Sequence, residues 1–155
     1  RLKSVRKLST PGAGFTLVEL ILVIAGAAIA AGLIIPVTIS FYNNQQVTEM
    51  ANSLKSGLRR ARTLAITQRN DSAYGVKIQS DNFVLFQGAS YATRNTSTEQ
   101  VFEIPSTLSV VSSPDEFVFS KLYGTSTASS TIVISGLSSR SVTLSVVSSG
   151  KIELQ

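Results

Sequence analysis

The sequence predicts an α+β fold: a long N-terminal helix, apolar in its first half and amphipathic in its second, packed on a C-terminal antiparallel β-sheet head. Three observations predict it. Residues 15–35 form a 21-residue run with a single charge, Glu19. Residues 41–70 then carry apolar side chains at steps of three and four. From about residue 73 the period shortens, and short β-branched and aromatic runs alternate with Ser, Gly, Asn and Asp clusters.

Taken in order, residues 1–14 (RLKSVRKLSTPGAG) are basic and then small, with Pro11, Gly12 and Gly14 blocking regular structure. They form a candidate leader. The segment 15–40 follows (FTLVELILVIAGAAIAAGLII to position 35), and 21 helical residues at 1.5 Å each span roughly 30 Å, the thickness of a bilayer core. A basic flank of this kind stays in the cytoplasm, which leaves the remainder of the chain on the far side. The run exceeds the 7–15 residues of a secretory signal core. A carboxylate within it costs about 2.5–3.5 kcal/mol at a helix centre and less near an end, so a plain anchor gives no reason to keep Glu19. Pro36 is expected to kink or end the apolar helix.

In segment 41–72, Val47, Ala51, Leu54, Leu58, Ala61 and Ala65 share one helical stripe. Lys55, Arg59, Arg62 and Arg69 fall on an adjacent one. Asn70 and Asp71 read as stop residues. The head, 73–155, offers candidate strands at 73–79, 82–87, 100–104, 116–120, 131–135, 141–147 and 151–154. In 141–147, Val142, Leu144 and Val146 point one way and Ser141, Thr143 and Ser145 the other, the pattern of a half-buried antiparallel strand. Ser and Thr supply 27 of residues 71–155, yet their regular alternation with Val, Ile, Leu and Phe argues for a folded sheet over a disordered tract.

Composition excludes much chemistry. With no His, Cys or Trp, the chain cannot build a Cys/His zinc, haem or iron–sulfur site, a disulfide, or a Ser-His or Cys-His nucleophile pair. No catalytic constellation, metal site or cofactor is expected. Asp115-Glu116 is too thin for a calcium cage of six to eight oxygens. The net charge is +5. It is concentrated in residues 1–14 (Arg1, Lys3, Arg6, Lys7) and 41–70 (Lys55, Arg59, Arg60, Arg62, Arg69 against Glu49), whereas residues 71–155 carry five bases and seven acids. A whole-chain argument for nucleic-acid binding therefore fails.

The stretch Gly14-Phe15-Thr16-Leu17-Val18-Glu19 resembles the processing site of type IV pilins and pseudopilins. Pro36 stands where these proteins usually carry a proline, although Ala28 replaces a glycine often found eight residues before it. Further along, Leu54…Leu58-Arg59-Arg60-Ala61-Arg62…Ala65-Ile66…Arg69 and Tyr74-Gly75-Val76 look like the minor pilins and pseudopilins of the GspH/FimT type. Arg140-Ser141-Val142-Thr143-Leu144 and Gly150-Lys151-Ile152-Glu153-Leu154 look like the paired last strands of that type.

The resemblance implies cleavage by prepilin peptidase between Gly14 and Phe15, N-methylation of Phe15, and assembly through Glu19. It also implies a non-enzymatic structural subunit of a type IV pilus, a type II secretion pseudopilus or a related filament. Its partners would be other pilin or pseudopilin subunits, an inner-membrane assembly platform and, before assembly, membrane lipid, with the N-terminus in the cytoplasm and the head outside. A carboxylate among apolar helices needs a cation, and the Phe15 amine of a neighbour would set the register of an entering subunit. The alternative is a DNA-binding minor pilin acting in DNA uptake, with Lys55, Arg59, Arg62 and Arg69 as phosphate contacts. The lack of aromatics between 43 and 73 weakens that alternative.

Overall fold

The structure, a computed structural model, describes residues 14–137 and 140–155, with side chains described outside 33–40. The leader expectation for residues 1–13 and the side chain of Pro36 lie outside the described residues. The chain divides into two compact units, the first ending at Thr38 and the second running Ile39–Gln155.

One helix, α1, runs Leu17–Ile66. Its start is capped locally: the Thr16 hydroxyl accepts from the Glu19 N–H at 3.2 Å. Thr16 is thus an N-cap and Glu19 sits three residues on, in the first turn. The backbone is helical through Pro36, so proline does not end the helix there. A proline removes one intrahelical bond, and the 30 helical residues that follow it, 37–66, hold the element together.

Within the second unit, the stripe Val47, Ala51, Leu54, Leu58, Ala61 and Ala65 is buried to 1% exposure or less, and Met50 joins it. The helix stops where Gln68 turns left-handed, φ +52, ahead of the 3-10 turn Arg69–Asp71. The reversal begins ahead of Asn70 and Asp71.

Eight strands follow: β1 Tyr74–Ile78, β2 Asn82–Gln87, β3 Asn95–Glu103, β4 Leu108–Ser112, β5 Glu116–Phe119, β6 Ser130–Gly136, β7 Ser141–Val146 and β8 Ile152–Leu154. They form two four-stranded antiparallel sheets, ordered β3-β2-β1-β5 and β4-β6-β7-β8, where the sequence suggested one. A single core holds the α1 stripe, Val76, Phe83, Leu85, Phe117 and Phe119 of the first sheet, and Ile132, Ile134, Leu144 and Val146 of the second.

In β2, four consecutive residues, Phe83 to Phe86, are buried. Alternate residues face opposite sides, so both faces of this strand are covered. Phe83 and Leu85 enter the core. Phe86 instead meets Tyr91 edge-on, with ring centroids 5.5 Å apart. Gly75 lies opposite Phe86. A Cβ there would sit 2.8 Å from the Phe117 carbonyl oxygen and strike the Phe86 ring, so the close packing of β1, β2 and β5 requires glycine.

Candidate functional site

At the start of α1, Gly14 has open space around it and Phe15 is 84% exposed. Leu17, Val18, Leu20, Ile21, Leu22, Val23, Ile24 and Ile29 are exposed as well. Apolar side chains on every side of a helix need lipid or other helices around them. Among the described residues, no helix is long and apolar enough to cross a membrane. The apolar helical residues with described side chains stop at Gly32. From Leu17 to Gly32 that is 16 helical residues, Glu19 among them, or about 24 Å. Glu19 stands exposed in this surface, and its backbone N–H donates to the Thr16 hydroxyl.

The predicted basic stripe does not stay together. Arg62 is half-buried, and its Nε–H donates to the Gly124 carbonyl at 3.2 Å. That contact joins α1 to the turn after β5 and to the β7–β8 turn, because Gly150 packs against both Arg62 and Gly124. Arg59 and Arg62 line one cavity of about 190 Å³ with Lys151 and Glu153. Lys151 Nζ is 2.7 Å from Glu153, so an acid of the head sits beside the stripe.

Arg69 lies elsewhere. It lines a cavity of about 340 Å³ with Arg60, Asn70, Tyr74, Thr98 and Glu99. The physical reason is the left-handed turn at Gln68, which takes residue 69 off the helical wheel that placed it beside Arg62. Lys55 is partly buried on α1.

Sequence reasoning missed a polar knot beyond β2. The Arg94 guanidinium stacks 3.9 Å over the Tyr91 ring, and its Nε–H donates to Glu99 at 2.7 Å. The Tyr91 N–H donates to Glu116 at 2.9 Å. The hydrogen bond to Glu99 raises the pKa of Arg94 against the opposing effect of desolvation. Nearby, Asp115 is held below the usual carboxylate range, chiefly by its hydrogen bond to Lys77 at 2.7 Å. Nothing in residues 88–99 has a periodic pattern that would have pointed to this cluster.

A third cavity, of about 430 Å³, opens between α1 and the approach to β4. Phe41, Tyr42, Met50, Leu108, Glu49 and Glu103 line it. Thr107 holds its wall to the helix by donating to Gln46 at 3.0 Å.

No family model matches the chain, and no curated protein does. Among solved structures, the chain is similar to the minor pseudopilin EpsH from the type 2 secretion system of Vibrio cholerae, with a TM-score of 0.56. The match covers 71% of this chain and 96% of that one at 14% identity. The chain has the α+β, pilin-like fold of a minor pseudopilin, a helix packed on an antiparallel head, as its motifs implied.

Proposed function

We propose that this chain is a structural subunit of a pilin-like filament: a type II secretion pseudopilus, a type IV pilus or a related assembly. The observation that carries the reading is the joining of an apolar helix, exposed from Phe15 to Ile29, to a head with the fold of a minor pseudopilin. The head uses its own stripe of α1 to close its core, whereas the first part of the helix has side chains that only lipid or neighbouring helices can cover. Prepilin peptidase would cut between Gly14 and Phe15 and methylate Phe15. Glu19 would then pair with the Phe15 amine of a neighbour, with an assembly platform drawing subunits out of the inner membrane. A segment of 15–40 passing through the bilayer, with its N-terminus in the cytoplasm and the head outside, fits this order of events. The role needs no catalysis.

Arrangement of the arginines favours this reading over DNA binding. Arg62 is bonded to the fold, and Arg69 lines a different cavity from Arg59. The four predicted cations therefore do not form one track along which a phosphate backbone could run.

Mass spectrometry of the mature N-terminus, combined with Glu19→Ala, tests the proposal. The expected result is a methylated Phe15 terminus in both chains, with Glu19→Ala retained in the membrane and lost from sheared filaments. A mature terminus at or beyond Ala31, or normal incorporation of Glu19→Ala, would overturn it.

A further inference from the structure

The turn that ends α1 is strained and braced. Gln68, Asn70 and Asp71 lie in the left-handed region, at φ +52, +53 and +52. Asn and Asp tolerate that region, whereas a longer side chain such as Gln is seldom found there. Three contacts fix the turn. The Tyr74 hydroxyl donates to the Arg69 carbonyl at 3.2 Å, Asn70 Nδ2 donates to Gln87 Oε1 at 3.3 Å, and Lys121 pairs with Asp71. Gln87 Oε1 also accepts from the Thr98 hydroxyl at 3.1 Å, which ties the turn to β3. Strain that surrounding contacts maintain is concentrated where a structure holds a group ready for a ligand. The group delivered here is Arg69, which shares the cavity of about 340 Å³ with Arg60 of α1.

The charge of that cavity is unbalanced. Its lining residues include one carboxylate, Glu99, and that one is already matched by Arg94, whose Nε–H donates to it at 2.7 Å. Asp71, next along the turn, is taken by Lys121. Among the described residues, Arg60 and Arg69 belong to no ion pair, and both are exposed. Two guanidinium groups beside the Ser97 hydroxyl and the Gln100 amide make a donor set for a carboxylate. The cavity also lies at a sheet margin. Four consecutive residues, Ser97 to Gln100, line it, so both faces of β3 take part.

That margin is open. At the other edge of the same sheet, β5 is covered by the chain that follows it: the Thr127 N–H donates to the Val118 carbonyl at 2.9 Å, and Phe119 bridges Ser126. Nothing of the kind covers β3 among the described residues. The Ile104 N–H donates to the Asp81 carbonyl at 2.8 Å, so by alternation Phe102 and Gln100 bond β2, and the N–H and C=O groups of Val101 and Glu103 point away from it. The nine residues of β3 include no proline or lysine to block strand addition, and Val101 is 56% exposed. We propose that this cavity binds an aspartate or glutamate side chain carried on an extended segment of a partner protein, which adds to the free edge of β3. The segment's backbone bonds the outward groups of Val101 and Glu103, and its acid meets Arg60 and Arg69. A free phosphate engages the two arginines but not the strand. The proposal is independent of the filament reading, since it needs neither Phe15 nor Glu19.

The test is a titration of the full-length, isotope-labelled chain in detergent, followed by NMR. The probe is a blocked pentapeptide of threonine, valine, glutamate, valine and threonine. Its comparisons are the same peptide with glutamine in the middle and inorganic phosphate. The expected result is saturable shifts of the Arg60 and Arg69 Nε–H signals together with the Val101 and Glu103 amides. The glutamine peptide should bind about tenfold more weakly, the loss of one charge-assisted contact. Arg60→Gln with Arg69→Gln should abolish the shifts at Val101 and Glu103 without moving the unfolding midpoint, because both side chains are exposed. Equal binding of the two peptides overturns the role of the arginines. Phosphate shifting the arginines while the glutamate peptide leaves Val101 and Glu103 unmoved reduces the site to a simple anion cavity and overturns the proposal. So does the absence of any shift. Self-association of the chain without peptide, lost in the double variant, makes a second copy the occupant and overturns the assignment to a different partner.

Discussion

Gly150 adopts φ +78 at the point where α1, the turn after β5 and the β7–β8 turn converge. A Cβ there would run into the Gly124 carbonyl and sit 2.7 Å from Arg62 Nε. Gly150→Ala therefore combines an unfavourable backbone conformation with overpacking, and should cost about 2–4 kcal/mol. A thermal melt of the full chain in detergent checks it, and an unchanged midpoint would mean that the three elements are not locked at this point. Asp115 offers a test in pH. Its folded pKa is depressed by Lys77, so its contribution to stability is present above the unfolded value of about 3.9 and is lost as pH falls through the folded value. The side chain is 54% exposed, so solvent screens the pair and the effect is small. Asp115→Asn should be slightly less stable than the parent at pH 7, with the two denaturation curves converging as pH falls through the lowered folded value. A difference that persists in acid would assign the loss to something other than this charge.

On the scale of an element, α1 performs two tasks divided along its length. Its second half supplies the core stripe, and the adjacent arginines are not equivalent. Arg62→Ala removes a charged donor from the Gly124 carbonyl and should destabilise by about 1–2 kcal/mol. Arg59→Ala, at an exposed position, should stay within about 0.5 kcal/mol of the parent. Parallel urea titrations distinguish the two, and equal effects would dissolve the distinction drawn between a structural and a surface arginine. The strand β2 shows the same division across its width: Phe83 and Leu85 serve the core beneath α1, and Phe86 serves the Tyr91 side.

For the whole molecule, the second unit has its own core and includes the helical stripe that closes it. A fragment of residues 39–155 should therefore fold cooperatively without detergent, which circular dichroism would show as a single sharp melt. An unfolded spectrum would place part of the head's stability in residues before 39. The fragment carries +4 from its helical segment and −2 from residues 71–155. With its arginines spread over separate cavities, it should bind duplex DNA negligibly at about 150 mM salt. A tight complex at that salt, abolished by Arg59→Ala, would move the DNA-uptake reading ahead of the scaffold.

The sequence by itself determined the fold class, the buried stripe from Val47 to Ala65, and most strand positions, because these depend on local periodicity that each residue carries with it. Strands β4 and the first half of β3 escaped notice. Asn95-Thr96-Ser97-Thr98 is exposed at a sheet edge and has no inward face to leave a pattern, and Leu108–Ser112 alternates over too few residues among serines. The division of the strands into two sheets was decided by the tertiary structure, since pairing partners lie far apart in the chain and propensity does not encode them. The same holds at the candidate site. Gly14, Phe15 and Glu19 form a contiguous motif that can be read in one pass, and the Thr16 cap belonged to the same few residues. The separation of Arg69 from Arg59 and Arg62 depended on where α1 ends. That end is a left-handed turn at Gln68, a residue type with no strong preference for it, and the contacts beside it, Leu122 N–H to the Ala65 carbonyl and Lys121 to Asp71, come from about 50 residues further along the chain, where local periodicity carries no information.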